Sequence, residues 1–293
     1  MNYKSHYQEI LQTGASVISG FMSKQQLESL RLRTDSCLFK LDKQHRQKYR
    51  STGSMCHLAE YPEFADLLSD PKVLDVLKGI GASDPKWLSG YLISKPAEGP
   101  PLFWHQDWWG WQHEVSYQQA PLALFFMIYL TDTTPENGCL RIIPGSHRFA
   151  HELHTLPDAH GEALSGYTQP DNPAYLEHEE QLNVAVKAGD LLIGDSRLLH
   201  GAFANNSANE RPLLISWYIP NFSALPESIQ ARFQQIYLRK ELDLDAGSEA
   251  LITPEDWPDP LRFYMTGLMP DYSGEANPEP WQRRPTLSRM KTK

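Results

Sequence analysis

Apolar positions along this chain change their spacing near residue 87. Before it they recur at helical intervals. Ser23 followed by Gln26 has the spacing of a capping box, and Leu27, Leu30, Thr34, Cys37 and Leu38 then fall on one helical face. Asp70-Pro71 reads as an N-cap with proline at the first helical position; Val73, Leu74 and Leu77 form the apolar face and Gly79 the stop. Beyond residue 87 the apolar runs shorten to strand length, at 87–94, 103–108, 122–131, 139–143, 183–186, 190–193 and 213–218. Glycine and proline separate them at 95–101, 135–138 and 144–145. Many short strands with such punctuation predict a β-sandwich or jelly-roll barrel with flanking helices.

Residues 148–181 break this rhythm, being long, polar and histidine-containing, and are expected to form an insertion with some helix, or a lid. After residue 220 the pattern is again helical, over 226–242, and runs into a tail rich in Pro and Trp. The expected organisation is one domain over 1–293: a helical part at 1–86, a strand-rich core at 87–220 and a C-terminal extension at 221–293. The extension, with Phe233, Ile236 and Tyr237, is placed to cover the barrel or to form a dimer contact, so both monomer and homodimer stay open.

Composition narrows the function. Hydrophobic residues make up 41% and charged residues 22% of the 293, as in ordinary globular proteins. A formal net charge of -9 argues against nucleic-acid and anionic-membrane partners, which select basic surfaces. The sequence MNYKSHYQEI lacks the apolar stretch of a signal peptide, and no apolar run is long enough to span a bilayer. Cys37, Cys56 and Cys139 are odd in number and widely spaced, which predicts reduced thiols in a cytoplasmic protein rather than disulfides or a zinc knuckle.

The chemistry is concentrated in the strand-rich core. In a strand, His105 and Asp107 of Trp104-His105-Gln106-Asp107 point to one face and Gln106 to the other. An imidazole and a carboxylate on one face are two-thirds of the two-histidine, one-carboxylate triad of non-heme iron sites. Alone, the H-x-D pattern is a weak signal. A Gly189-Asp190 turn leads into a further apolar strand, and His200 stands just beyond it. Arg211 then opens the next strand, one hairpin away, and its guanidinium can grip a carboxylate through two parallel hydrogen bonds. His147, His151 and His154 would share a face if helical and could bind zinc, although His147 sits in a Pro-Gly-Ser-His turn; a solvated polar face is the plainer expectation.

Taken in order, His105-Gln106-Asp107, Asn137-Gly138-Cys139-Leu140, Pro144-Gly145-Ser146-His147 and His200-Gly201 with Asn205, Ser207 and Arg211 resemble the phytanoyl-CoA dioxygenase family of 2-oxoglutarate oxygenases. The resemblance runs over residues 91–218. It implies a double-stranded β-helix, a cupin-like jelly roll, with Fe(II) held by His105, Asp107 and His200 and 2-oxoglutarate by Arg211. It also implies Lys95 near the co-substrate and Met127 where an aromatic wall residue is common. Ala202 departs from the family's serine, removing a hydroxyl that would help hold the co-substrate. The implied reaction takes O2 and 2-oxoglutarate to succinate and CO2 while oxidising a substrate C–H bond. Asp107 favours hydroxylation over halogenation, because related halogenases lack that carboxylate.

Trp104, Trp109 and Trp111, with Trp108 and Phe103, put much aromatic area beside the motif. They are expected either to shape a pocket for a small, mostly apolar metabolite or to pack against the N-terminal helices. No basic cluster suits a CoA nucleotide. The rival reading is a cupin-like binding protein or metal-dependent isomerase; such a barrel needs no arginine for 2-oxoglutarate, so Arg211 favours the oxygenase.

Overall fold

The structure, a computed structural model, describes residues 3–156, 161–238 and 257–292. In chain order its elements are α1 (Tyr3–Thr13), β1 (Ala15–Ile18), α2 (Lys24–Phe39), α3 (Lys43–Lys48), β2 (Ser54–His57), α4 (Ala65–Leu68), α5 (Pro71–Gly79), β3 (Lys86–Lys95), β4 (Leu102–His105), β5 (Leu124–Tyr129), β6 (Leu140–Ile142), α6 (Glu162–Ser165), β7 (Leu182–Val184), β8 (Leu191–Asp195), β9 (His200–Ala202), β10 (Arg211–Ile219), α7 (Glu227–Leu238) and α8 (Asp259–Met265). They build two antiparallel sheets, β1-β8-β5-β10-β3-β2 and β4-β9-β6-β7, which form a jelly-roll barrel.

The large sheet is apolar on both faces, which explains the unbroken run at 122–130. Phe125, Met127 and Tyr129 of β5 face the barrel interior with Leu192, Leu213 and Ile215. Leu124, Phe126 and Ile128 face outward and pack with Leu191, Ile193 and Leu214 against the helices. The period-two alternation of a strand assigns each set to its side. On the helical side, Ser23 and Gln26 form a reciprocal capping box, and Leu27, Leu30, Thr34, Cys37 and Leu38 are the buried face of α2. Asp70 caps α5, whose buried residues are Val73, Val76 and Leu77; Gly79 is its last helical residue and Ile80 the cap.

Three short strands stand outside the sequence expectation. β1 and β2 lie in the region expected to be helical, and β9 holds His200 itself. The expected strand over 103–108 ends at His105. Residues 148–156 and 161–181 contain α6 and two single 3-10 turns, at Glu152–Thr155 and Pro173–Tyr175. Leu164, Ala174 and Tyr175 of this stretch pack on Phe103, while Leu153 and Leu156 pack near Trp104. Residues 157–160, and the expected helix beyond Leu238, lie outside the described residues. All three cysteines are free and buried, and no helix among the described residues is long and apolar enough to cross a membrane.

The three histidines of the 147–154 stretch do not form a solvated face. They are buried, and among the described residues they do not gather as a metal group. His147 Nε2 pairs with the Leu11 carbonyl, His151 Nδ1 accepts from Leu153 N–H, and His154 Nδ1 accepts from His151 N–H. The 3-10 geometry and the preceding turn deny them a shared helical face.

Burial brings both His147 and His154 down to about 4. Between that value and the unfolded value near 6.5, the unfolded chain binds protons that the folded chain refuses. The stability held by these rings is therefore whole above pH 6.5 and is lost as pH falls toward 4, on the order of 3 kcal/mol per ring. Denaturant midpoints should hold level from pH 8 to 7 and fall below 6.5, with a shallower fall in His154→Gln. Parallel profiles for the two proteins would contradict the assignment.

Candidate active site

The two histidines of the expected triad are cross-strand partners. β4 and β9 run antiparallel, and His105 pairs directly with His200, so both rings project to the same face with centroids 4.1 Å apart. Each ring is turned the same way: His105 Nδ1 lies 3.0 Å from the Phe103 carbonyl and His200 Nδ1 3.0 Å from the Leu198 carbonyl. Donation from Nδ1–H to those carbonyls leaves each Nε2 with its lone pair toward the cavity. Burial, and then the neighbouring His200, press His105 down to about 3, so it is the neutral imidazole a metal requires.

Asp107 joins them from beyond the strand end. Its own N–H and that of Trp108 both donate to the Ser196 carbonyl, at 2.9 and 2.8 Å. Its carboxylate stands 3.6 Å from His105 Nε2 and 3.8 Å from His200 Nε2. One donor atom from each of the three lies within 4.8 Å of the others, a spacing that fits one metal ion. Gln106 points to the other side and donates to the Arg197 carbonyl.

Arg211, the first residue of β10, pairs with Lys95 of β3 and lies over the Tyr129 ring at 5.2 Å. It is 4% exposed, and its Nε and Nη1 are buried with no hydrogen-bond partner. A buried cation with two orphaned donors is costly unless an anion completes it. Arg211 lines the same cavity of about 400 Å³ as His105, Asp107 and His200. Two imidazoles with Nε2 toward the cavity, one carboxylate and a buried arginine with unpaired donors therefore fit Fe(II) and 2-oxoglutarate together.

Residues 10–213 match the sequence profile of the phytanoyl-CoA dioxygenase family. The chain belongs to that family. Membership brings the family's cofactor pair, Fe(II) and 2-oxoglutarate. An ectoine dioxygenase of Halomonas elongata is 28% identical over 208 residues, covering 65% of this chain and 62% of that one. The chain spans about half to three-fifths of the length of the curated relatives it matches. Among solved structures, HygX of Streptomyces hygroscopicus, with nickel and 2-oxoglutarate bound, superposes with a TM-score of 0.55 at 19% identity over 74% of this chain and 86% of that one. The carbocyclase SnoK from nogalamycin biosynthesis gives 0.55 at 21% identity over 74% and 83%. Both likenesses concern the fold.

The family's turn motifs serve the site from outside it. Ser146 Oγ accepts the Leu199 N–H, tying the Pro-Gly-Ser-His turn to the approach to His200. Asn205 Nδ2 donates to the Pro96 and Asn209 carbonyls, closing the turn that leads to Arg211. Gly138, at φ +86, lets the Asn-Gly turn lie against the Lys95 side chain, 2.9 Å from where a Cβ would sit. Lys95 itself is fully buried, donates to the Ser51 carbonyl and is not among the residues that line the cavity. Met127 lines the cavity, as does Ala202.

Of the three tryptophans expected at the pocket, only Trp109 lines it. Trp104 has the opposite parity to His105 and sits on the far face of the small sheet, donating to the Leu176 carbonyl under the Arg141 guanidinium. Trp111 is wholly buried beside Trp108 and α7, because the strand whose alternation would have carried it to the cavity stops at His105. Trp108, Trp109 and Trp111 thus pack with the C-terminal α7 and Trp104 with Ile143 and Leu199, rather than with the N-terminal helices. Two cavity tryptophans escape the sequence reading, Trp217 and Trp281. Trp281 stacks on Trp109 at 5.4 Å and 13°, and Trp109 on Trp108 at 5.3 Å and 18°. Trp217 Nε1 donates to Asp107 Oδ2 at 2.8 Å.

Two substitutions test this geometry. Trp217→Phe removes the indole donor that orients Asp107 while keeping an aromatic wall. Divalent-metal affinity, read by competition with a chromogenic chelator, should fall about 10- to 100-fold with the fold intact. An unchanged affinity would remove Trp217 from the metal site. Asp195→Ala leaves Arg197, which is 1% exposed, without its carboxylate. Denaturant unfolding should show a loss of about 3–5 kcal/mol, whereas a loss below about 1 kcal/mol would mean that the pair behaves like a surface one.

Proposed function

We propose that this chain is an Fe(II)- and 2-oxoglutarate-dependent dioxygenase that hydroxylates a C–H bond of a mostly apolar metabolite, releasing succinate and CO2. His105, Asp107 and His200 would hold the iron and Arg211 the far carboxylate of 2-oxoglutarate. The observation that carries this reading is the shared cavity: three metal donors at one end of a space whose wall also presents the orphaned nitrogens of buried Arg211. A cupin-like barrel that does not use 2-oxoglutarate has no need of an arginine at that place.

Iron bound by such a triad supplies activation of O2 coupled to decarboxylation of the 2-oxo acid. The protein's residues do the rest. The carbonyls of Phe103 and Leu198 hold both imidazoles in one tautomer. Arg211 fixes the co-substrate's orientation through a bidentate grip. Tyr129 lies beneath the guanidinium and lines the same cavity, its hydroxyl donating to Met127 Sδ. Met127, Leu213 and Ile215 exclude water from the reacting end, and this apolar lining supports an apolar substrate portion. Asp107 would supply the carboxylate ligand that halogenases of this kind lack, which favours hydroxylation.

The test is anaerobic visible spectroscopy with Fe(II) and 2-oxoglutarate added in turn, followed by succinate release in air. A charge-transfer band requiring both additions is expected. Arg211→Ala should raise the 2-oxoglutarate KM on the order of 100-fold, the scale of losing a buried charge pair. Iron binding with no band would overturn the co-substrate assignment and return the barrel to the binding-protein class.

A further inference from the structure

A second cavity, of about 550 Å³, opens beside the first. Its walls come from the end of α2, from α3, from β2 and from the 3-10 turn Leu58–Glu60. Tyr49, Met55 and Tyr91 line both spaces, so the two adjoin along one wall. Tyr91 marks the boundary. Its ring meets Trp217 edge-on at 6.0 Å on the metal side and His57 edge-on at 4.9 Å on the other.

The two spaces differ in chemistry. Away from the triad, Arg211 and Arg283, the metal cavity is lined mostly by apolar and aromatic side chains, with hydroxyls from Thr52, Ser89, Ser165 and Ser196, and its volume of about 400 Å³ must take the co-substrate as well as the substrate. Pockets for drug-sized ligands run from about 300 to 1,000 Å³, so the substrate's share at the metal is small. The second cavity is polar and aromatic together. Its charged side chains are two lysines, Lys40 and Lys48, and two acids, Asp42 and Glu60, which selects for no net charge. Both lysine heads lie over tyrosine rings, Lys40 over Tyr61 at 5.8 Å and Lys48 over Tyr49 at 5.2 Å. Asp42 already accepts the His45 N–H as the cap of α3. Among the described residues no arginine fork for a carboxylate or phosphate lines this space. Several donors and acceptors around aromatic faces suit a molecule with many hydroxyls and an apolar C–H face.

We propose that the second cavity binds a neutral, hydroxyl-rich ring of the substrate, of the sugar or cyclitol class, while an apolar portion joined to it passes Tyr91 to the metal. Only the location of the reacting end rests on the oxygenase reading. The substrate is then bipartite, and its polar half is chosen by the end of α2, α3 and the edge strand β2 rather than by the barrel interior.

The experiment compares benzyl alcohol with benzyl β-D-glucopyranoside, by calorimetry on the full chain loaded with Ni(II) and 2-oxoglutarate. The glucoside should bind at least about tenfold tighter, a difference of about 1.4 kcal/mol. Tyr61→Ala removes an aromatic face, and Gln44→Trp fills the space from an exposed position on α3; each should erase the difference and leave the alcohol's affinity as it was. Gln44→Trp keeps the test decisive if the alanine variant misfolds. Equal affinities in the wild type, or an advantage that survives the folded variants, would overturn the proposal. Succinate release by the wild type separates the two ideas: its absence with the glucoside advantage intact sinks the oxygenase reading alone, and its presence without the advantage sinks the second cavity alone.

Discussion

The active site hangs on one buried ion pair. Arg197 spends all five of its N–H donors: two on the Asp195 carboxylate and the others on the carbonyls of Ser116, Gln118 and Ala120. Burial alone would drive the Asp195 carboxyl up, and the guanidinium beside it holds it below the usual carboxylate range. This clasp fixes the turn between β8 and β9, and the turn's backbone meets two of the three candidate metal donors, Asp107 and His200. The Ser196 carbonyl takes the N–H groups of Asp107 and Trp108, the Arg197 carbonyl takes Gln106, and the Leu198 carbonyl orients His200. The histidine that follows the turn and the aspartate two residues beyond the end of β4 are thereby held in one frame, although they are far apart in sequence.

A second constraint is steric. Gly194 faces Phe125 across β8 and β5, and a Cβ there would lie 2.0 Å from the phenyl ring. The ring occupies that space and backs His200 at 5.0 Å between centroids. Gly201 is constrained likewise, because a Cβ would lie 2.9 Å from the Leu102 carbonyl. The close approach of β9 to β4 is what brings His200 opposite His105. Packing thus sets the imidazole separation before any metal arrives.

Local patterns were legible in the sequence, and long-range relations were not. The capping box at Ser23, the buried face of α2 and the two-sided apolarity of β5 each depend on neighbours a few residues apart, and each is found where the pattern put it. His105, Asp107, His200 and Arg211 could be singled out because their chemistry is rare in combination. The parity argument for Asp107 reached the right side of the cavity by the wrong route: β4 ends at His105, and a bond to Ser196 turns the chain. The same shortfall misplaced Trp111. β1, β2 and β9 are only three or four residues long, too short to show an alternation. Trp217 and Trp281 become cavity residues through contacts across the whole chain, with Asp107 and with Trp109. No spacing rule records such contacts.

β10 explains why so much function falls on one element. It is an interior strand of the large sheet, paired with β5 on one side and β3 on the other. Its inward residues are Arg211, Leu213, Ile215 and Trp217, and all four line the metal cavity. One end of the strand presents the buried guanidinium, the middle an apolar wall, and the other end the indole that donates to Asp107. A register slip of one residue would turn all four outward at once. Hydrogen bonding on both edges makes that slip costly. The placement of the Arg211 guanidinium and the orientation of the Asp107 carboxylate are therefore not independent features, because both depend on the register of a single strand.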